Sequence, residues 1–516
     1  MPTASAFFNV RDYGASGQKA DSAQAAIQQA IDACAAAGGG TVYCPPGAYT
    51  TGTLHLRSRV RLHIEAGATI YSSKDKASFT KNALFYAEDV EHITLEGRGA
   101  IDGQAEYLWR LADFRDMNIY PNQVVAEKAG VPLNRAFPTA DSLGHLVLFL
   151  RCQDVRIENL NFLHSPSWTM HLFVCQRVRI DGVYIFTDRE AGVWADGIDP
   201  DGCKDVHISN CTIDTGDDAL VFYSSNIYGP AQPCENITVT NCRLSSSSSA
   251  LKFCDVNYNA IRNVTITNCV ITDSNRGIAF MVWDGGVVEN VVLANITVEC
   301  RRHAWFWWGD GDPLHFNLTT RGAIDPELDS SKLPPIGGLR NVRITNLIAH
   351  GPGPSRIQGE PRALLENVTI EHARLTIDAD PESPWRKKPH ALTIKHARNF
   401  TLKDVEIAWE PNIQDHWQSA LVVESVQGLT LDGVSARSAP TAPEAAALVL
   451  KNVDGAVITD CQAQAGTGAF LHLAGANTRA VLLRGNDLRQ AGTPVRRSDE
   501  VRPEAVHQDE LSSPLT

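Results

Sequence analysis

One short unit recurs along most of the chain, and it restricts the possible fold more than any other feature. Each copy has a polar residue or Asn, then alternating aliphatics, then a small polar turn. Examples are Asp205-Val206-His207-Ile208-Ser209-Asn210-Cys211, Asn236-Ile237-Thr238-Val239-Thr240-Asn241-Cys242 and Asn263-Val264-Thr265-Ile266-Thr267-Asn268-Cys269. Shorter copies run from Val155-Arg156-Ile157-Glu158-Asn159 to Ala480-Val481-Leu482. Most intervals are roughly 23 to 32 residues, a period typical of stacked-coil solenoids. Within a copy the apolar residues alternate, so each copy reads as a strand with one buried face. Helices are excluded, because the runs are too short and too rich in Val, Ile and Thr. Strands one coil apart would run parallel and stack. Ile208, Val239, Ile266 and Leu293 then form an interior ladder, each contributing about 1.5–3 kcal/mol when buried. Asn210, Asn241, Asn268, Asn295 and Asn346 share one turn position, where Asn tolerates the left-handed conformation. The expected fold is all-β: a right-handed single-stranded parallel β-helix with a short N-terminal capping helix and loop insertions.

A solenoid needs capped ends. The Ala-rich segment Asp21 to Ala37 reads as a helix capped by Asp21 and stopped by Gly38-Gly39-Gly40. Two insertions break the rhythm, Gln104 to Leu143 and Arg301 to Pro335, and in repeat folds such loops often line the binding face. We expect one catalytic domain over residues 1–485 and a polar, flexible tail over 486–516. The net charge of −13 argues against nucleic acid or an anionic membrane as a partner, and it leaves oligomeric state open. Met1 to Val10 lacks the basic and apolar regions of a secretory signal, so the expected location is cytoplasmic, or outside the cell if a leader precedes this sequence. The twelve cysteines include no CxxC pair, and Cys211, Cys242 and Cys269 recur at one point of the repeat. They read as reduced core residues, and no metal or other cofactor is expected.

Residues that break the ladder are the candidates for chemistry. The densest group is Trp194-Ala195-Asp196-Gly197-Ile198-Asp199-Pro200-Asp201, followed by Asp214-Thr215-Gly216-Asp217-Asp218. Asp196 and Asp217 lie about one coil apart, so both can emerge from one sheet face on neighbouring strands about 4.8 Å apart. Carboxyls that close cannot all ionise, and at least one keeps its proton. Glycoside hydrolysis requires one protonated and one ionised carboxyl. The competing reading, a structural Gly-Asp-Asp turn, stays open for Asp196, Asp217 and Asp218 on spacing alone, and it is preferred for Asp199, Asp201 and Asp214.

Phe8-Asn9-Val10-Arg11-Asp12-Tyr13-Gly14, Ser165-Pro166-Ser167-Trp168-Thr169-Met170-His171, Asp196-Gly197-Ile198-Asp199-Pro200 and Thr215-Gly216-Asp217-Asp218 together resemble glycoside hydrolase family 28, the polygalacturonase-like branch of the pectin-lyase-like β-helix superfamily. The resemblance implies an inverting hydrolase of pectin-like or other acidic oligo- and polysaccharides. It makes Asp217 the general acid and gives Asp196 and Asp218 the activation of water. Three departures stand out. The family's Asn-Thr-Asp reads Trp194-Ala195-Asp196, its Gly-His-Gly reads Ser247-Ser248-Ser249, and its Arg-Ile-Lys reads Ala279-Phe280-Met281. Lys252 and Arg276 are the candidate replacements for the lost cations, either as carboxylate ligands or as surface salt bridges. Lys252, between apolar Leu251 and Phe253, should point outward. Trp168, Trp283, Asp284 and Trp308 are further substrate-binding candidates, since sugar rings stack on aromatic faces. The rival readings are a β-helix lyase or epimerase and a non-catalytic carbohydrate-binding solenoid.

Overall fold

The structure, a computed structural model, describes residues 7–113, 134–138, 144–303, 309–324, 334–380 and 389–508. The strands form parallel pairs between successive coils, apart from an antiparallel pairing of Trp109–Asp113 with Asn134–Pro138. The fold is a right-handed parallel β-helix. Contacts within the chain group into two compact units, one formed mainly by residues up to Lys252 and one mainly from Thr265 onward. A stack whose coils contact only their neighbours has no contacts that bind distant coils together.

In the first unit the expected ladder runs Leu62, Leu95, Ile157, Ile180, Ile208 and Val239 in register, all buried. Helix Gln24–Ala36 turns Ala26, Ile27, Ala30, Ile31 and Cys34 inward. Its cap is Ala23, which makes no side-chain cap bond, rather than Asp21. The helix's polar face ties it to the first coils. Gln24 Nε2 donates to the carbonyls of Thr53 and Ser78, and Gln28 exchanges hydrogen bonds with the backbone of His55. Strand-edge groups are thereby satisfied.

The second unit repeats the pattern through Leu293, Ile344, Ile370, Leu402, Leu431, Ile458 and Leu483. A flexible tail from 486 was expected, but strand Ala491–Arg497 pairs with Thr467–Ala474 and strand Val506–Gln508 pairs with Arg479–Arg484. The polar composition that suggested a tail belongs to exposed positions of ordered strands.

The turn asparagines adopt the expected left-handed conformation, with φ between 54° and 57° for Asn210, Asn241, Asn268, Asn295 and Asn346. Their amides also bond coil to coil, as in Asn295 Nδ2 to Asn268 Oδ1 at 3.0 Å and Asn346 Nδ2 to Asn295 Oδ1 at 2.9 Å. A second such row, through Asn290, Asn341, Asn367 and Asn399, stands at the start of the repeat. Eleven of the twelve cysteines, Cys211, Cys242 and Cys269 among them, are buried and free of disulfides.

Candidate active site

Four carboxyls converge in the first unit. Asp199 lies on strand Ile198–Asp201, with Asp196 just before it. Asp217 and Asp218 fill the turn between Thr212–Thr215 and Leu220–Ser224. The coils are pinned at this point, because the Gly197 amide donates to Asp218 O at 2.9 Å and the Ala219 amide to Ser249 O at 2.9 Å. Close approach requires the glycines: a Cβ on Gly197 would lie 2.2 Å from Ala219 O, and one on Gly216 would lie 2.1 Å from Asp188 O.

Each carboxyl has a distinct environment. Asp217 Oδ2 accepts the Trp194 amide at 2.9 Å, and its Oδ1 accepts the Asp218 amide at 3.0 Å. Trp194 has φ 66°, a costly conformation for a bulky residue and one that clusters at functional sites. Here it accompanies an N–H aimed at Asp217. Asp218 accepts from three donors: Ser248 Oγ at 2.8 Å, the Ser249 amide at 2.9 Å and Lys252 Nζ at 2.8 Å. Asp196 Oδ2 accepts the Tyr223 hydroxyl at 3.4 Å. Asp199 is fully buried, and neither of its oxygens has a hydrogen-bond partner among the described residues.

These environments raise the proton affinities of Asp217, Asp196 and Asp199. Burial, then the Asp218 charge, pushes Asp217 up to about 7, against the opposing pull of Lys252 and the Trp194 amide. Asp196 is held well above the usual carboxylate range by burial and then by the charges of Asp217, Asp199 and Asp218. Asp199 is raised likewise, by burial and then by Asp218, Asp217 and Asp201. Desolvation disfavours the ionised form, and neighbouring carboxylates add to it.

An aromatic wall adjoins the acids. Half-buried Trp168 stacks on Tyr223 with centroids 4.9 Å apart and meets His171 edge-on at 4.6 Å. Tyr223 in turn carries the hydroxyl bonded to Asp196. Behind the wall, His171 Nε2 lies 3.1 Å from Asp201 Oδ2, and the amide and hydroxyl of Ser225 donate to Asp201.

Of the candidates, Asp196, Asp217, Asp218, Lys252 and Trp168 come together here. Lys252 points outward as expected and pairs with Asp218. Asp199 and Asp201 are corrections to the turn reading: both lie on a strand and are buried. Strand alternation was the available signal, since Asp199 is in register with His171 and Asp201 with Phe173. Asp214 likewise lies on a strand, Thr212–Thr215, rather than in a turn, and carries a salt bridge to Arg189 Nη1 at 3.1 Å. Tyr223, Ser248 and the Trp194 amide were missed. Arg276, Trp283 and Asp284 belong to the second unit. Arg276 is buried, with Nη1 3.5 Å from Met281 Sδ. Asp284 is gripped by Arg321 at 2.8 and 2.6 Å, and the same guanidinium lies 5.6 Å from the Trp283 ring centre. Asp284, expected as a substrate contact, is thus paired within the second unit. Trp308, Trp305 and Trp307 lie outside the described residues.

The profile of glycosyl hydrolases family 28 matches residues 34–300, over half of the 516 residues, and the chain belongs to that family. A probable polygalacturonase of Vitis vinifera is 25% identical over 206 residues, covering 36% of this chain and 37% of that protein. A polygalacturonase of Chamaecyparis obtusa is 28% identical over 231 residues, covering 43% and 41%. The chain thus spans about two fifths of the length of these curated relatives. Among solved structures, the fold resembles a hyperthermoactive exopolygalacturonase from Thermotoga maritima (TM-score 0.61, 21% identity, covering 78% of this chain and 92% of that one). It also resembles a family 28 exopolygalacturonase from Yersinia enterocolitica (TM-score 0.62, 18% identity, covering 84% and 79%).

Proposed function

We propose that the chain is a glycosidase that hydrolyses a glycosidic bond in a pectin-like or other acidic oligo- or polysaccharide, with inversion at the anomeric carbon. The observation that carries this reading is one buried carboxyl cluster in which the Trp194 amide meets Asp217 and the Lys252 ammonium meets Asp218. Asp217 holds a proton to about pH 7, while Asp218 faces an ammonium group at 2.8 Å. A carboxylic acid beside a carboxylate is the pair that glycoside hydrolysis uses. Asp217 delivers its proton to the leaving oxygen as the bond from the anomeric carbon to that oxygen breaks. Asp218 takes a proton from a water molecule, with Asp196 orienting it, as the water oxygen bonds to the anomeric carbon from the opposite face. Trp168 offers its exposed face to the apolar side of a sugar ring. The family membership and the polygalacturonase names of its relatives support the substrate class.

The test compares wild type with Asp217→Asn on pectic and other oligosaccharides. It reads reducing ends, ultraviolet absorbance and the configuration of the first-formed anomer. Reducing ends of inverted configuration from wild type, with a loss of about 10²–10⁴-fold in the variant, are expected. An absorbing unsaturated product would instead indicate a lyase. Binding without turnover, unaffected by the substitution, would indicate a carbohydrate-binding module.

A further inference from the structure

The family motif containing histidine is replaced here by a serine run, and the structure shows what those residues contact. We propose that Ser248, the Ser249 amide and Lys252 form a clamp that fixes Asp218 as the anionic member of the quartet, making Lys252 a positioning residue for the base rather than a ligand for the substrate's carboxylate. The inference rests on the hydrolytic reading of the site and specifies which group sets its charge distribution.

The donor pattern is the first argument. Asp218 Oδ1 accepts from Ser248 Oγ and the Ser249 amide, and Oδ2 accepts from Lys252 Nζ, at 2.8, 2.9 and 2.8 Å. Both oxygens act as acceptors, which suits the ionised form. Placement is the second. Lys252 follows inward-facing Leu251 and precedes inward-facing Phe253, so it leaves the sheet on the outer face, one coil beyond Asp218. Burial is the third. The Lys252 and Asp218 side chains are 12% and 4% exposed, so salt screens the pair far less than a surface pair. Asp217 from the same turn and Asp196 and Asp199 from the preceding coil also face Asp218, and Lys252 opposes the rise in proton affinity of all three. Proximity places the one negative charge that this cation favours most on Asp218. With its ammonium bound there, Lys252 has an anion of the protein itself as its partner.

The test uses Lys252→Met, which keeps side-chain length without charge, alongside Lys252→Arg and Ser248→Ala. Two readouts are taken: the pH profile of kcat/KM, and an infrared titration of the Asp218 carboxylate, identified by its loss in Asp218→Asn. In Lys252→Met the acidic limb of the profile and the Asp218 titration should both move up by about one to three pH units. Ser248→Ala should move them in the same direction by less, and Lys252→Arg should restore the wild-type limb. The clamp is overturned if Lys252→Met or Ser248→Ala folds and leaves the Asp218 titration in place. It is equally overturned if Lys252→Met raises KM for free uronates but not for their methyl esters, with the limb unmoved. The infrared readout needs no turnover. A shifted titration in a protein that cleaves nothing would support the clamp and refute hydrolysis, whereas turnover with an unshifted titration would do the reverse.

Discussion

Replacing Asp217 by Asn should make the protein less stable in acid and more stable in alkali, with a crossover between. Asp217 has an ordinary value of 3.8 and a folded-state value of about 7, so the native chain holds this proton where the unfolded chain has lost it. For an acid raised in this way, the stabilising contribution is fully present below 3.8 and is lost as pH rises through about 7. The gap corresponds to about 4 kcal/mol between the two limits. Asn does not titrate, so the difference in unfolding free energy between the two proteins should swing by up to that amount in favour of the variant. In acid the sign reverses. The two carboxyl oxygens accept the Trp194 and Asp218 amides at 2.9 and 3.0 Å. An Asn amide nitrogen cannot accept either, and the lost bond costs about 1 kcal/mol. Guanidinium unfolding of both proteins at intervals from pH 4 to 9 measures the difference directly. Asp196 and Asp199 remain in both proteins, but the Asp217 charge that helps raise them is gone in the variant, which adds to the swing in the same direction. Parallel stability profiles for wild type and variant would refute the argument, since Asp217 would then carry no buried proton.

Other expectations follow from the same geometry. Trp168→Ala should raise KM about tenfold or more while Trp168→Phe keeps most of the binding, because the ring face and its stacking on Tyr223 are what the substitution removes; steady-state kinetics on the preferred oligosaccharide will show it. Gly197→Ala should prevent folding or cost several kcal/mol, since its Cβ would lie 2.2 Å from a backbone oxygen of the next coil; soluble yield and thermal melting decide this. Asn268→Ala, at φ 56° and with the Asn295 amide bonded to it, should lower stability by about 1–3 kcal/mol. Asn268→Gly should cost less, because glycine accepts the backbone conformation, and denaturant midpoints of the two variants test that order.

The repeat made the fold legible because period-two alternation and coil-length spacing are both written in the residues themselves. Asp196, Asp217 and Asp218 were legible for the same reason: charged residues cannot extend an apolar ladder, so they stand out from it. Asp199 and Asp201 were lost because an Ile-Asp-Pro-Asp string looks like a turn, although its alternation matches Met170-His171-Leu172-Phe173 in register. The Trp194 contact could not be read at all, since it is made by a backbone amide and depends on φ rather than on side-chain type. Lys252 was placed on the correct face by alternation. Its partner depended on which coil lies below, a matter of three-dimensional register. The tail failed through composition: few apolar residues are needed where a strand lies on an existing stack.

Each coil contributes its own part of the site. Trp168 comes first, then Asp196 and Asp199, then Asp217, Asp218 and Tyr223, then Ser248, Ser249 and Lys252. Reading the chain from one end is therefore also walking along the site, one rung at a time. In most folds distant segments must be folded together before a catalytic centre exists, so sequence neighbours say little about which groups meet. Here linear order is spatial order. A substitution on one rung therefore reaches the site through the rungs beside it, as Lys252 does through Asp218.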